Sequence, residues 1–171
     1  KDLREMTQAG IMDCKAALKE AKGNFDKALE VLKKKGLEIA LKKVSRTAKD
    51  GCVEAYVHLG GKIGVLVEIN SETDFVAKNE EFKKFAKDIA MQIAACSPSF
   101  LKKEDVTKEA LGEAKRLSKS EEDFYKENCL LEQPFIKDQN ITIKDYLTSL
   151  IAKMGENIVI KRFVRYQLGA E

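Results

Sequence analysis

Cys52-Val53-Glu54-Ala55-Tyr56-Val57-His58-Leu59-Gly60-Gly61-Lys62-Ile63-Gly64-Val65-Leu66-Val67-Glu68-Ile69 is the segment that decides the fold. Its first half alternates, with Val53, Ala55, Val57 and Leu59 on one side and Glu54, Tyr56 and His58 on the other, the two-residue period of a half-buried strand. Ile63, Val65, Val67 and Ile69 repeat that period in the second half. Gly60-Gly61-Lys62 between them reads as a hairpin turn. The expectation is an antiparallel pair with the Val53–Leu59 and Ile63–Ile69 apolar sets both facing inward. Such a pair needs a cover, and the next long helix supplies one. Asn79 is suited to cap it, and Glu80 and Glu81 complement its positive end. Phe82, Phe85, Ala86, Ile89, Ala90, Ile93 and Ala94 then form an apolar stripe at helical spacing, closed by Ser97-Pro98.

Downstream, residues 104–130 are charged and helix-prone, with Ala110, Ala114, Leu117, Phe124 and Leu130 weakly periodic. Gln133-Pro134-Phe135 interrupts the chain. Ile143–Met154 reads as a helix stopped by Gly155, and Ile158–Leu168, with Ile158, Ile160, Phe163 and Val164, as a closing strand. Upstream, residues 2–7 end a helix that Gln8-Ala9-Gly10 breaks. A second helix spans Ile11–Ala21 with Met12, Ala16 and Ala17 on one face. A third spans Phe25–Lys34, capped by Asn24, with Phe25, Ala28, Leu29 and Leu32 at i, i+3, i+4, i+7 and Gly36 as its stop. Three short helices of this kind resemble a ubiquitin-associated (UBA-like) module. The polar run from Ser45 to Gly51 marks the boundary. The expected architecture is α+β: a UBA-like three-helix module over residues 1–44, then a core over residues 45–171 with a small antiparallel sheet covered by helices. A module of fewer than 50 residues is marginal alone and gains from a partner.

The 171 residues are 44% hydrophobic and 35% charged, a globular balance, and hold a single histidine, His58. One histidine excludes a multi-histidine metal cluster within the chain, and any Ser/His/Asp or Cys/His machinery would have to use His58. His58 lies on the polar side of a strand, with no nucleophile motif tied to it. Cys14, Cys52, Cys96 and Cys129 stand 38, 44 and 33 residues apart, so no Cys-x-x-Cys pair exists. Each sits among apolar neighbours, as a buried structural thiol would, a usage suited to a reducing cytoplasm or organelle matrix. Gly60-Gly61-Lys62 is no phosphate loop: Tyr56 stands where the first Gly is needed and Ile63 where Ser or Thr is needed. No segment approaches the roughly 20 apolar residues of a membrane helix, and no signal-peptide pattern opens a chain whose first residue is Lys1. No enzyme chemistry, catalytic residue, metal or cofactor is expected. The first fifty residues carry 13 Lys/Arg against 8 Asp/Glu and the remainder 18 against 20. That basic front segment has two readings, solvent-facing lysines or an acidic partner. The runs Lys33-Lys34-Lys35 and Lys42-Lys43 come without an aromatic stacking platform, so direct nucleic-acid binding is not expected.

One stretch does not read as ordinary packing. Asn70-Ser71-Glu72-Thr73-Asp74-Phe75-Val76-Ala77-Lys78 is long for a strand-to-helix connection. Phe75 either caps the core while Thr73 or Asp74 satisfies a turn, or belongs to an acidic-aromatic tip that inserts into a partner.

Two longer motifs carry a resemblance. Leu3-Arg4-Glu5-Met6-Thr7-Gln8-Ala9-Gly10-Ile11-Met12-Asp13-Cys14-Lys15-Ala16-Ala17-Leu18 and Glu68-Ile69-Asn70-Ser71-Glu72-Thr73-Asp74-Phe75-Val76-Ala77 resemble the two signatures of the bacterial-type elongation factor Ts family, the guanine-nucleotide exchange factors of elongation factor Tu. Ile89–Ala95, Leu131-Glu132-Gln133-Pro134-Phe135 and Gly155-Glu156-Asn157-Ile158 support the match. The resemblance implies that the N-terminal module docks on the nucleotide-binding domain of elongation factor Tu, with Leu3, Arg4, Ile11 and Met12 on or near that surface. It implies that Thr73, Asp74, Phe75 and Val76 form a tip that disturbs the partner's magnesium and phosphate site, with Phe75 as wedge and Asp74 toward the magnesium. It implies a second contact through Ala90, Met91, Gln92, Ile93 and Ala94, a cytoplasmic location, and the homodimer of the short, single-core members. The chain departs from the family pattern in three places. Gln8 replaces a turn glycine, Gln92 stands where many members have His, and residues 106–129 are shorter than the family's helical hairpin, so that 104–130 forms a reduced version. The alternative is a UBA-like protein-binding module without exchange activity.

Overall fold

A computed structural model describes residues 2–7, 9–116 and 120–170. Gln8, and Leu117 with its neighbours at 118–119, for which expectations were stated, lie outside the described residues. The fold is α+β. Helices α1 (Asp2–Thr7), α2 (Ile11–Glu20) and α3 (Phe25–Lys43) precede the strands β1 (Asp50–Val57) and β2 (Ile63–Ser71). The short α4 (Asp74–Ala77) leads into the long α5 (Glu80–Cys96), followed by α6 (Lys108–Arg116) and α7 (Glu121–Asn128). A small hairpin, β3 (Pro134–Phe135) and β4 (Asp138–Thr142), then α8 (Ile143–Met154) and β5 (Val159–Gln167), complete the chain. The main sheet is antiparallel in the order β1-β2-β5.

The α5 stripe behaves as its spacing predicts. Phe82, Phe85, Ala86, Ile89, Ala90 and Ile93 are fully buried against Val65, Val67, Ile69 and Ile160 of the sheet and Ile143, Leu150 and Ile151 of α8. Asn79 caps α5 by accepting from the Glu81 amide at 2.8 Å. α8 starts on a capping box in which Thr142 and Asp145 exchange bonds, and Gly155 ends it at φ 70°, where a Cβ would be strained. In β5 the register shifts opposite Glu68 and Ile69, leaving Lys161 as the extra residue. That bulge lets Ile160 and Phe163, three apart, both pack on the core.

β1 corrects the expectation. Val53 and Val57 are 66% and 69% exposed and Leu59 is 94% exposed, while Cys52 and Tyr56 pack on the core. The reason lies in the turn. The His58 amide bonds to the Ile63 carbonyl, so Leu59-Gly60-Gly61-Lys62 is a four-residue loop, one longer than Gly60-Gly61-Lys62. A one-residue change of register turns every side chain of a strand over. Tyr56 therefore stands opposite Val65, and Ala55 opposite Leu66 on the outer face.

The third helix is the second correction. α3 does not stop at Gly36 but continues to Lys43. A glycine inside a helix costs about 1 kcal/mol relative to Ala, too little to end one whose next turns pack. Beyond Gly36 the helix runs against α8, and Ala40 joins the main core. The first turns of α3 close a separate small core of Leu3, Cys14, Ala17, Ala21, Ala28 and Leu32. Met12, Ala16 and Ala17, expected on one face of α2, are split: Met12 is 73% exposed and Ala16 is exposed, while Ala17 is buried with Cys14. Cys96 is exposed, against the expectation of four buried thiols. The expected interruption at Gln133-Pro134-Phe135 contains the short strand β3, with Phe135 stacked on Tyr146 at 4.9 Å between ring centroids.

Candidate functional site

The segment after β2 is an anchored projection. Ser71, fully buried, donates from Oγ to the Thr73 carbonyl at 2.8 Å. The Thr73 amide donates to Glu156 Oε2 at 3.1 Å and the Thr73 hydroxyl to Glu156 Oε1 at 2.7 Å, so one carboxylate takes two bonds from one residue. Glu72 Oε1 accepts from the Asn157 amide at 2.6 Å, and Glu72 Oε2 lies 3.6 Å from the Arg46 guanidinium. Chain direction then reverses through the single turn of α4, where Val76 is buried in the core.

Between these anchors the chain holds Asp74 and Phe75 outward. Phe75 is 81% exposed. The reading in which it caps the core is thereby overturned; Val76 fills that role. Burying a Phe side chain yields about 1.5–3 kcal/mol, which the free protein forgoes here. Asp74 Oδ2 accepts from the Lys78 ammonium at 2.6 Å. That hydrogen bond, with the charge of Lys78, holds the Asp74 carboxyl below the ordinary carboxylate range, so the tip sets an ionised carboxylate, paired with the Lys78 ammonium, beside an exposed ring.

On the N-terminal module, Arg4, Ile11 and Met12 are exposed, Ile11 and Met12 at 64% and 73%. Met6, which the sequence reading did not single out, is as exposed as they are. Leu3 is buried in the small core, so of the four expected on or near this surface it is the one that lies beneath it. The expected second contact is corrected further. Ala90, Gln92, Ile93 and Ala94 are buried, because α5 turns that face to the core; Met91 alone of the five is partly exposed. Gln92 is consumed internally. Its amide nitrogen donates to Gln133 Oε1 at 3.2 Å and to the Pro134 carbonyl at 3.1 Å, and its oxygen accepts from the Ile136 amide at 2.9 Å. It ties α5 to the β3–β4 hairpin.

The residues that hold the tip, Arg46, Ser71, Glu72, Glu156 and Asn157, were not assigned a role by the sequence reading. Their only signal was the motif membership of Ser71, Glu72 and the Gly155-Glu156-Asn157 triplet. Asp88, a buried carboxylate on α5 paired with Lys137 at 2.6 Å and Tyr146 at 3.0 Å, was likewise unassigned and lies in none of the quoted motifs. Three of the thiols are poorly placed for chemistry: burial pushes the Cys129 thiol up to about 11, half-burial and then Glu54 raise that of Cys52, and partial loss of solvation raises that of Cys96 although its surface is open. His58 is exposed, with Nδ1 3.0 Å from the Tyr56 hydroxyl. Among the described residues, no three His, Cys, Asp or Glu side chains gather to hold a metal ion, and no helix is long and apolar enough to cross a membrane.

The outer face of the main sheet is the remaining exposed feature. Val53, Val57, Leu66, Val164 and Tyr166 are exposed across all three strands, and the register sets Ala55, Leu66 and Val164 side by side. A solvated sheet face is ordinarily polar.

A family model described as elongation factor TS matches residues 3–123 and 120–170. An elongation factor Ts of Carboxydothermus hydrogenoformans is 54% identical over 188 aligned residues, covering 99% of this chain and 87% of the relative. One from Caldanaerobacter subterraneus subsp. tengcongensis is 52% identical, covering 99% of this chain and 94% of the relative. One from Alkaliphilus oremlandii is 53% identical over 192 aligned residues, covering 99% and 87%. These alignments are longer than the 171 residues of the chain, so the relatives hold positions with no counterpart here. The two matched segments meet at residues 120–123, where α7 begins.

Proposed function

The chain belongs to the elongation factor Ts family and is a translation elongation factor; from that premise we propose that it promotes GDP release from elongation factor Tu by inserting the Thr73–Val76 tip beside the partner's magnesium and phosphate site. The observation that carries this reading is Phe75, an 81%-exposed ring held on a clamped turn next to a charged carboxylate. An apolar wedge gains energy only when it is buried in a partner. Phe75 acts as that wedge, Asp74 perturbs the magnesium side, and Thr73 and Val76 set the shape of the turn from within this protein.

The module over residues 1–44 docks first, through Arg4, Ile11 and Met12, joined by Met6. The core over residues 45–171 then presents the tip, with Met91 as the part of α5 open to contact. The action is one of linkage. A protein that binds the nucleotide-free state more tightly weakens nucleotide binding by the same coupling free energy, so GDP leaves and GTP later displaces the factor. In this reading the chain makes and breaks no covalent bond, needs no cofactor, acts in the cytoplasm, and touches neither membrane nor nucleic acid.

The outer sheet face supports a second copy of this chain as a further partner. An apolar face of one sheet is self-complementary under a two-fold axis, and pairing two such faces makes a sandwich. The α6–α7 pair is the reduced hairpin, and the reading gives it no role in exchange. Release of fluorescent GDP from purified elongation factor Tu tests the whole: the factor must accelerate it, and no acceleration removes the proposal. The competing reading, a UBA-like module that binds another protein and has no exchange activity, predicts an unchanged release rate.

A further inference from the structure

The tip is held from two other parts of the chain. Gly155 ends α8 in the left-handed conformation, and the next two residues both reach out. Glu156 takes both bonds from Thr73, at 3.1 and 2.7 Å, across 83 residues of sequence. Asn157, only 4% exposed, donates from its backbone to Glu72 at 2.6 Å and from its side chain to the Arg46 carbonyl at 2.7 Å and the Val44 carbonyl at 3.4 Å. Arg46 reaches back toward Glu72 at 3.6 Å. Residues 44–46 are the exit from α3, the helix whose first turns build the N-terminal module. The turn at 156–157 therefore joins the base of the tip to the arm that carries the docking surface.

We propose that Glu156 and Asn157 are positioning residues for exchange, Glu156 fixing the tip and Asn157 fixing the docking arm relative to it. This rests on the tip reading given above. The physical reason is preorganisation. Two surfaces that engage one partner together act as a single unit only if their separation is set beforehand; otherwise ordering them is a cost of binding. Thr73 is the residue immediately before α4, so its two bonds to Glu156 set the direction in which Asp74 and Phe75 emerge. Neither Glu156 nor Asn157 is assigned contact with elongation factor Tu; each acts through another segment of its own chain.

The two residues predict different kinetic signatures, which a merely structural role does not. In GDP-release measurements over a range of factor concentrations, Glu156→Ala lowers the maximal rate about tenfold and leaves the half-saturating concentration within about twofold. Glu156→Gln, which retains one acceptor oxygen, recovers part of that rate. Asn157→Ala raises the half-saturating concentration about tenfold and leaves the maximal rate within about twofold. Phe75→Ala serves as the reference, and Glu156→Ala added to it produces clearly less than its full loss, the remainder acting through Asp74. Thermal melts of each variant establish that it is folded; if Glu156→Ala is not, Glu156→Gln and Thr73→Val, which each remove one of the two bonds, carry the test. An unchanged rate for Phe75→Ala overturns the tip reading itself. A slowed Phe75→Ala together with a folded Glu156 variant of unchanged maximal rate overturns the positioning role alone. So does a Glu156→Ala effect of full size in the Phe75→Ala background, since the residue would then act elsewhere.

Discussion

Truncation of Phe75 to Ala is the perturbation that separates a wedge from a decorative surface ring. In the free protein the ring is 81% exposed, and its removal opens no cavity. Surface substitutions of that kind change stability by no more than about 0.5 kcal/mol, so the thermal midpoint should move by about 2 °C or less. If the ring is buried in elongation factor Tu while GDP leaves, its loss withdraws about 2–3 kcal/mol from that state. At about 1.4 kcal/mol per factor of ten, this is roughly a 30- to 150-fold fall in the stimulated rate constant. The assay is stopped-flow release of fluorescent GDP from purified elongation factor Tu at subsaturating factor, with the thermal melt recorded on the same preparation. Val76→Ala is the contrast. Val76 is buried in the core, so truncation costs about 1–3 kcal/mol of fold stability and lowers the melting point. A Phe75→Ala protein that melts normally and stimulates release within about threefold of wild type would refute the burial argument, because so small a change leaves no room for a desolvated ring.

Three further outcomes follow from particular contacts. Asp74 is held below its ordinary value by Lys78, so the pair is complete above that ordinary range and is lost as pH falls through the lowered value; an NMR titration should place the Asp74 midpoint below that of an unperturbed Asp, and Lys78→Met should raise it. Gly36 lies inside α3, and a Cβ there would meet the Ala152 Cβ at 3.8 Å, an ordinary contact; Gly36→Ala should stabilise the protein by about 0.5–1 kcal/mol, a rise of about 1–4 °C in the melting midpoint, whereas a helix ending at Gly36 would make the change neutral or harmful. Leu66→Lys or Val57→Lys on the outer sheet face should yield a monomer by analytical ultracentrifugation with an unchanged circular-dichroism spectrum, and a wild-type protein already monomeric at micromolar concentration would exclude the paired-sheet assembly.

The tip illustrates how far a motif reaches. Residues 70–78 stood out in the sequence because Phe75 and Val76 adjoin Asp74 in a long connection, but sequence left open which apolar residue faced in. The structure divides the work, with Val76 inward and Phe75 outward, because a single helical turn cannot direct adjacent side chains to the same side. Spacing on α5 was similarly informative about what is apolar, and similarly silent about access. Ala90 to Ala94 carries a family motif, yet four of its five side chains are core. Gln92 shows why: a polar residue inside an apolar stripe is compatible with a contact surface or with an internal network, and only its three partners on and beside the β3–β4 hairpin distinguish them.

By itself, the sequence determined the α+β class, the β1–β2 hairpin, the buried stripe of α5 and the span of α8, and it singled out the 70–78 connection. Each rests on periodicity or on a motif contained in one short segment, and local stereochemistry is enough to express it. The tertiary structure alone decided three matters. It set which face of β1 is exposed, because one added turn residue inverts the strand. It carried α3 through Gly36, because packing on α8 outweighs a propensity of about 1 kcal/mol. It brought Glu156 to Thr73 and Asn157 to Arg46 and Glu72, partnerships between residues far apart in the chain that no local pattern encodes and that exist only once α8 has closed on the sheet.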